Sequence, residues 1–197
     1  TDFSPSNHSI TFVGDAHINT SSSVFGGSSL KLDGTGDYLT VPDHTDFDWE
    51  SNFSIDMWVY PTANTVSGDA LWSHADASSD GIYVRANSQS GTSWKYAFRA
   101  KTSGSNNWEF TTTNYAVPEG QWSHIAVSRS GNTVYMFVNG VAEGSSAVTS
   151  TVGDFTNTVE VGHSSNFGGL PLDGYLDEFR ISMGIARWTS AFTPPTR

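Results

Sequence analysis

The chain of 197 residues lacks cysteine, has few basic residues and contains no long apolar run, and each absence narrows its possible functions. Without cysteine, the chain forms neither disulfides nor thiolate metal sites. Nine Lys and Arg stand against 20 Asp and Glu, for a net charge of −11. Nucleic acid and anionic membranes are therefore not expected partners, unless a local basic patch overrides this charge. Because the apolar runs reach only strand length, the sequence predicts no membrane insertion.

Long helices are not expected either, because runs of Ala, Leu, Glu and Lys are absent. The chain instead contains short alternating stretches separated by Ser, Thr, Asn and Gly. FSIDMWVYP is typical, since it places Phe53, Ile55, Met57 and Val59 on one face. About a dozen such stretches, with turn residues roughly every 8 to 12 positions, predict an all-β, two-sheet antiparallel sandwich. We expect one domain over residues 1–197.

The strongest turn in the sequence is Asn139-Gly140, which lies between Val138 and Val141. A two-residue hairpin turn of type I′ needs positive φ at both central positions, and Asn-Gly tolerates this best. The surrounding HIAVSRSGNTVYMFVNGVAEG is accordingly predicted to form three strands joined by two tight connections.

The stretch GGLPLDGYLDEFRIS carries three carboxylates among apolar side chains. Adjacent strand residues point to opposite faces, so Asp177 and Glu178 cannot act together on one bond. Asp173 and Asp177 share a face, but four residues of strand separate them by about 13 Å, too far for a glycosidase pair. The sequence therefore does not favour an acid/base enzyme.

Two aspartates are expected to be buried. Alternation places Asp177 in the apolar row of Phe179 and Ile181, and DYLTV places Asp37 in the row of Leu39. A buried carboxylate needs compensation, either from backbone N–H and side-chain donors or from a hard cation such as calcium. The residues alone leave both alternatives open.

Basic residues are concentrated in one region, where four of the nine fall within 17 positions. In WKYAFRAK the even-numbered residues are apolar, and the odd-numbered ones are cationic apart from one alanine. The same alternation in ALWSHAD and GIYVRA gives further outward rows of aromatic and basic side chains. If these strands are neighbours, they form a candidate ligand-binding surface of seven residues: Trp72, His74, Tyr83, Arg85, Lys95, Arg99 and Lys101.

This mixture of side chains suits a sugar ligand. An aromatic ring stacks on the C–H side of a pyranose, while Arg and His donate hydrogen bonds to hydroxyl groups. The cations would favour a carboxylated or sulfated glycan. The alternative is an ordinary solvated strand face whose cations pair with Glu109 and nearby aspartates for little gain.

The histidines do not predict a metal site. His8, His17, His44 and His163 are scattered along the chain without a spacing typical of zinc. His124, in QWSHIAV, is interpreted as a hydrogen-bonded packing residue.

Four segments in order carry a resemblance to a known family: VFGGSSLKLDGTGDYLTVPD, FSIDMWVYPT, GQWSHIAVSRSGNTVYMFVNGVAEG and LDGYLDEFRISMGIARW. They resemble laminin-G-like, concanavalin A-like jelly rolls from about Phe25 to Trp188. The tail ISMGIARWTSAFTPPT is similar to the ends of phage and marine bacterial members, which implies an extracellular or virion-associated protein.

The resemblance implies a jelly roll that is often extracellular, often binds glycans and often carries one structural calcium ion. Carried over to this chain, the calcium ligands would be Asp177, with Asp33 or Asp37 as companions. Hydrolases of related fold carry a Glu-x-Asp-x-Glu run on one strand, and this chain has none.

We therefore predict a non-catalytic polysaccharide-binding domain, acting as an accessory or adhesion module on a cell-surface or polymeric glycan. The alternative is a structural or protein-interaction domain of a virion or cell-surface protein, without a sugar ligand. An open basic row on WKYAFRAK favours the first, and a row covered by a loop or another chain favours the second. The sequence makes no prediction of the oligomeric state.

Overall fold

The computed structural model describes residues 2–63, 65–76, 80–102, 105–148 and 152–196. In chain order its strands are β1 (Thr11–Val13), β2 (His17–Asn19), β3 (Ser29–Asp33), β4 (Tyr38–Val41), β5 (Phe53–Pro61), β6 (Asp69–Ala75), β7 (Gly81–Ser90), β8 (Ser93–Thr102), β9 (Ser105–Thr111), β10 (Val117–Pro118), β11 (Ser123–Ser130), β12 (Thr133–Val138), β13 (Val141–Ala147), β14 (Val159–Val161), β15 (Leu170–Pro171) and β16 (Asp173–Met183). Two 3₁₀ turns, Thr45–Phe47 and Ser165–Phe167, complete the regular structure in these ranges. No helix there is long and apolar enough to cross a membrane.

The strands form two sheets that pack face to face. The larger has the order β1-β4-β14-β6-β7-β8-β10, with β9 added beside β8 and β15 beside β6. The smaller has the order β13-β12-β11-β5-β16-β3-β2. Apart from the short parallel pair of β15 and β6, the strand pairings between described residues are antiparallel. The predicted all-β sandwich of jelly-roll type is confirmed.

The core lies between the two sheets, and alternating rows from both of them fill it. From β5, Phe53, Ile55 and Met57 are each at most 1% exposed. From β8, Tyr96 and Phe98 are fully buried. Because successive side chains of a strand point to opposite faces, the period-two pattern identified these rows correctly.

The hairpin between β12 and β13 is the one the sequence predicts. Asn139 and Gly140 have φ of 51° and 76°, and the flanking Val138 pairs with Val141. Positive φ at both central positions is the requirement of the type I′ turn. A Cβ on Gly140 would also lie 1.9 Å from the carbonyl oxygen of Phe192, so the C-terminal segment passes directly over this turn.

The C-terminal segment covers the outer face of the smaller sheet, which the alternation pattern alone does not predict. Ser54 faces outward on β5, yet it is fully buried beneath this segment. Its hydroxyl donates to the carbonyl oxygen of Ile185 at 2.9 Å and accepts the backbone N–H of Arg187 at 2.8 Å. Trp188 stacks on Phe192 with ring centroids 4.2 Å apart. The C-terminal segment therefore buries part of the outer face of β5.

Strand β16 corrects one prediction. A bulge between Asp177 and Arg180 shifts its register against β5, and Glu178 takes a positive φ of 52° there. Ile181 packs against the core, whereas Asp177 pairs with Trp58, on the outer side of β5. The single apolar row predicted through this strand is wrong, because the bulge exchanges the two faces. Asp177 is nevertheless buried, at 9% exposure.

Candidate functional site

Trp72 and His74 do not belong to the outward surface predicted for them. Both are fully buried, and the Trp72 ring stacks on Trp49 inside the sandwich, with centroids 5.4 Å apart. All seven residues of β6 are buried, because this strand is covered on both faces. Alternation cannot identify the outward face of such a strand, so the prediction is wrong for these two residues.

His74 is a structural histidine at the edge of the core. The indole N–H of Trp49 donates to its Nδ1 at 2.8 Å, and its Nε2 lies 2.9 Å from the carbonyl oxygen of Asn157. These partners fix the neutral tautomer with the proton on Nε2. Burial lowers the pKa of His74, since the charged form would lose its hydration.

Tyr83 faces outward as predicted, but a loop covers it. The tyrosine is only 4% exposed because Phe167, in the second 3₁₀ turn, packs on it with ring centroids 4.1 Å apart. Asn166 anchors this turn to β6 by donating to the carbonyl oxygen of Ala75 at 3.2 Å. The turn and its flanking residues therefore close the central part of the predicted surface.

Arg99 is engaged rather than free. Its guanidinium forms an ion pair with Glu109 on β9 and donates to the Tyr83 hydroxyl at 3.2 Å. Burial disfavours its charge, but the hydrogen bonds with Tyr83 and Glu109 outweigh burial and raise the pKa of Arg99. For this residue the structure matches the alternative in which a strand-face cation pairs with Glu109.

The remaining cations form an open surface on the same sheet. Arg85, Lys95 and Lys101 are partly exposed, and none has a carboxylate within 4.0 Å in the part of the chain that the structure describes. Lys95 Nζ lies 4.7 Å above the ring of Tyr115, which is 42% exposed. We call this surface the basic face and define it by five residues: Arg85, Lys95, Arg99, Lys101 and Tyr115.

Tyr115 was missed from the sequence. It lies in the connection between β9 and β10, where no periodic pattern exists to assign a direction to its side chain. The pairing of Val117 with Trp94 and the backbone bond from Thr112 N–H to the carbonyl oxygen of Tyr96 bring this connection beside Lys95. Arg85 on β7 lies opposite Ala97 on β8, and Ala97 is on the same side of β8 as Lys95. The basic face therefore includes residues of both strands.

The aspartates predicted as calcium ligands are held by backbone N–H groups. Asp177 accepts from Val24 at 2.8 Å, from Phe25 at 3.3 Å and from Glu178 at 2.9 Å. Asp37 accepts the N–H of Asp15 at 2.5 Å and of Asp33 at 3.1 Å. Among the described residues the oxygens of Asp33, Asp37 and Asp177 do not form a group within 4.8 Å. Backbone N–H groups therefore compensate the two buried carboxylates, Asp37 and Asp177, while calcium held by Asp177 with Asp33 or Asp37 stays a prediction.

A separate acidic pocket opens where strands β3, β6 and β16 of the two sheets begin or end. Asp33, Asp69 and Asp173 contribute to its lining, and Asp173 pairs with Lys31 at 3.2 Å. Asp69 is 1% exposed and its Oδ1 has no hydrogen-bond partner among the described residues, so burial, and more weakly the charge of Asp173, raises its pKa to about 6. The buried Tyr96 hydroxyl also has no hydrogen-bond partner among the described residues.

A raised carboxyl pKa in a pocket is a feature of acid/base sites. Here both neighbouring carboxylates already have partners, since Asp173 pairs with Lys31 and Asp33 accepts the backbone N–H of Thr35 at 2.7 Å. Asp69 follows a turn and precedes a continuous apolar run, and nothing in that local pattern predicts its burial.

The family of the chain follows from its sequence as well as its fold. Residues 33–186 match a laminin G family described as the Concanavalin A-like lectin/glucanases superfamily, and the chain belongs to it. The resemblance seen in the sequence is thereby confirmed. No curated protein matches the chain closely enough to be aligned with it.

Solved structures with a similar fold include one domain of an extracellular arabinanase and the binding domains of toxins. Domain 4 of AbnA, an extracellular arabinanase from Geobacillus stearothermophilus solved with arabinotriose, is 19% identical, with a TM-score of 0.63 over 89% of this chain and 81% of that one. The binding domain of Paraclostridial Mosquitocidal Protein 1 is 15% identical, with a TM-score of 0.67 over 98% of this chain. The receptor binding domain of botulinum neurotoxin mosaic serotype C/D is 13% identical, with a TM-score of 0.70 over 98% of this chain.

These neighbours define a class rather than a ligand. The chain spans 46% and 45% of the two toxin domains, so it corresponds to one part of each. At such identities the likeness shows the fold alone. The chain is a concanavalin A-like sandwich, and its structural neighbours bind carbohydrates or receptors.

Proposed function

We propose that this chain is a non-catalytic polysaccharide-binding domain that holds an anionic glycan on the basic face. The observation that carries the proposal is the pair of Lys95 and Tyr115, in which a partly exposed lysine places its ammonium group 4.7 Å above one face of an exposed aromatic ring. Arg85 extends this surface with a guanidinium that has no carboxylate partner among the described residues.

The chemistry of the face suits a sugar acid or a sulfated sugar. The ring of Tyr115 offers a flat apolar surface for the C–H side of a pyranose, and the nearby cations bind carboxylate or sulfate oxygens. The rest of the protein repels an anionic polymer, because the net charge is −11. An anionic glycan would therefore be directed to the basic face.

Binding without catalysis agrees with how the buried carboxylates Asp56 and Asp177 are used. Asp56 forms a bidentate pair with Arg180, at 2.9 and 2.8 Å, and Asp177 accepts three backbone N–H groups. Carboxylates committed in this way are structural. We place the protein outside the cell, as an accessory or adhesion module, in keeping with the arabinanase and toxin domains that share its fold.

The basic face can be tested by substitution. We expect Lys95→Ala and Tyr115→Ala each to weaken the binding of a uronate-rich or sulfated oligosaccharide about fivefold to tenfold, close to 1.4 kcal/mol at most. Affinity for the parent protein should also fall as NaCl is raised, because exposed charges are screened. Isothermal titration calorimetry at two salt concentrations measures both effects.

The matched control is Arg187→Ala, which removes one exposed positive charge outside the basic face. In the parent protein, Arg187 Nε donates to the Ser182 hydroxyl at 2.8 Å. Its affinity should equal that of the parent. If Lys95→Ala and Arg187→Ala lose affinity equally, the effect is one of net charge and the basic face is not the site.

The second candidate function is a protein-interaction or structural domain, for instance on a virion or cell surface. The turn around Phe167 favours it, because this turn covers Tyr83 and closes part of the surface that a sugar would otherwise use. A folded protein that binds no glycan, neutral or charged, would move the assignment to this class.

A further inference from the structure

Three side chains with metal-binding atoms meet where the N-terminal segment crosses the first 3₁₀ turn. His8 precedes β1, and His44 and Asp46 lie at the start of the turn Thr45–Phe47. In the part of the chain described, this is the one group of three His or acidic residues with ligand atoms mutually within 4.8 Å. The 36 positions between His8 and His44 explain why sequence spacing did not predict it.

The distances within the group already approach those of a metal site. His8 Nε2 lies 3.1 Å from Asp46 Oδ2, and His44 Nδ1 lies 3.3 Å from Asp46 Oδ1. Ligand atoms on a tetrahedral zinc ion with bonds near 2.0–2.1 Å are separated by about 3.3 Å. These two distances end on different oxygens of Asp46, so a single carboxylate oxygen accounts for only one of them, and the three ligand atoms together lie within 4.8 Å of one another before any ion is bound.

Neighbouring groups hold two of the ligands in place. The Ser6 hydroxyl donates to Asp46 Oδ2, and Asp2 accepts the backbone N–H of His8 at 2.6 Å. The His8 ring packs on Phe47, which is 6% exposed, with centroids 5.1 Å apart. Ligands whose orientation is fixed by surrounding contacts lose less freedom when an ion binds.

We propose that His8, His44 and Asp46 bind one divalent transition-metal ion, with zinc as the ion that the donor set fits best. Two imidazoles and one carboxylate are typical zinc ligands, and they leave a fourth position for water or an external ligand. Calcium and magnesium prefer all-oxygen sites, so they do not fit this group. The ion joins the N-terminal segment to the body of the sandwich.

One existing contact must change for His44 to bind through Nδ1. That nitrogen now accepts the backbone N–H of Asp46 at 3.1 Å, as the cap of the 3₁₀ turn. Zinc at Nδ1 would displace this bond and leave the backbone N–H of Asp46, an exposed residue, to water. X-ray absorption at the zinc edge distinguishes two imidazoles from water-only coordination, and two imidazoles are the expected result.

Zinc titration of chelator-treated protein tests the site. Calorimetry should show one zinc ion per chain, and scanning calorimetry should show a rise in Tm with zinc and none with calcium. His8→Gln and Asp46→Asn should each weaken zinc binding at least tenfold. The control His17→Ala removes a histidine outside the group, whose Nδ1 contacts its own segment at Asp15, and should bind as the parent does.

Two results would overturn the proposal: no zinc binding by the parent, or unchanged stoichiometric binding by a His8→Gln/His44→Gln double variant. Melting in the absence of metal shows whether each variant is folded. The glycan titration described above does not involve these residues, so the two proposals stand or fail separately.

Discussion

Replacing Asp177 by alanine should lower the free energy of unfolding by about 3 kcal/mol, because three backbone N–H groups would lose their acceptor in a buried place. The donors belong to Val24, Phe25 and Glu178, and the carboxylate that binds them is 9% exposed. The carboxylate also ties the segment before β3 to the bulge of β16. Urea denaturation of parent and variant measures the difference.

The matched control is Asp15→Ala, at an exposed aspartate whose backbone, not its carboxylate, makes the contact with Asp37. It should change stability by no more than a few tenths of a kcal/mol. Running both variants in calcium and in EDTA tests the calcium expectation as well. If hydrogen bonding alone stabilises this site, Asp177→Ala should lose the same free energy of unfolding in both solutions. A parent protein that is less stable in EDTA than in calcium would show that an ion contributes. An unchanged midpoint for Asp177→Ala would contradict the account of this carboxylate.

Replacing Asp69 by asparagine should stabilise the protein above about pH 6, by roughly 2 kcal/mol. Burial raises the pKa of Asp69 from 3.8 to about 6, so the folded state binds a proton more tightly than the unfolded state does. Stability from this group is therefore present below pH 3.8 and is lost as pH rises through 6. Asparagine keeps an acceptor for the N–H of Val66, now bonded at 3.0 Å, but carries no charge.

The measurement is the difference in unfolding free energy between parent and Asp69→Asn from pH 4 to pH 8. We expect it to grow with pH up to about 6 and then to level off. His74 acts in the opposite direction, since burial lowers its pKa and its contribution is lost as pH falls below 6.5. It is present in both proteins and cancels in the difference. An asparagine variant that is less stable than the parent at pH 8 would show that the ionised carboxylate has a stabilising partner.

The fold could be predicted because local patterns and tertiary structure agree over most of the chain. In β5 and β8 the apolar row faces the core and the polar row faces away, so period two identified both faces. The Asn139-Gly140 turn needs only local backbone conformation, and its φ values match the prediction.

The prediction failed where a strand is covered on both faces or changes register. All of β6 is buried, so alternation placed Trp72 and His74 on the wrong side. In β16 the bulge after Asp177 exchanges the faces of the strand, and no residue type in DEFR predicts a bulge there. The burial of Asp177 was predicted correctly, but two of its three donors, Val24 and Phe25, lie 153 and 152 positions earlier in the chain, where a local pattern cannot identify them.

The candidate sites depend even more on tertiary contacts. Lys95 and its outward direction follow from alternation, whereas Tyr115 reaches it from an irregular connection. The group of His8, His44 and Asp46 exists because the N-terminal segment folds back on a 3₁₀ turn. Sequence spacing detects metal sites within one element and misses those assembled from distant segments.

The most direct test of the central claim is a glycan array that includes uronate-rich, sulfated and neutral polysaccharides, probed with the folded parent protein in calcium and again in EDTA. We predict selective binding of anionic glycans that persists in EDTA, since the five residues that define the basic face include no carboxylate or imidazole to bind a metal ion. Binding of none of these glycans by folded protein would contradict the assignment of this chain as a polysaccharide-binding domain.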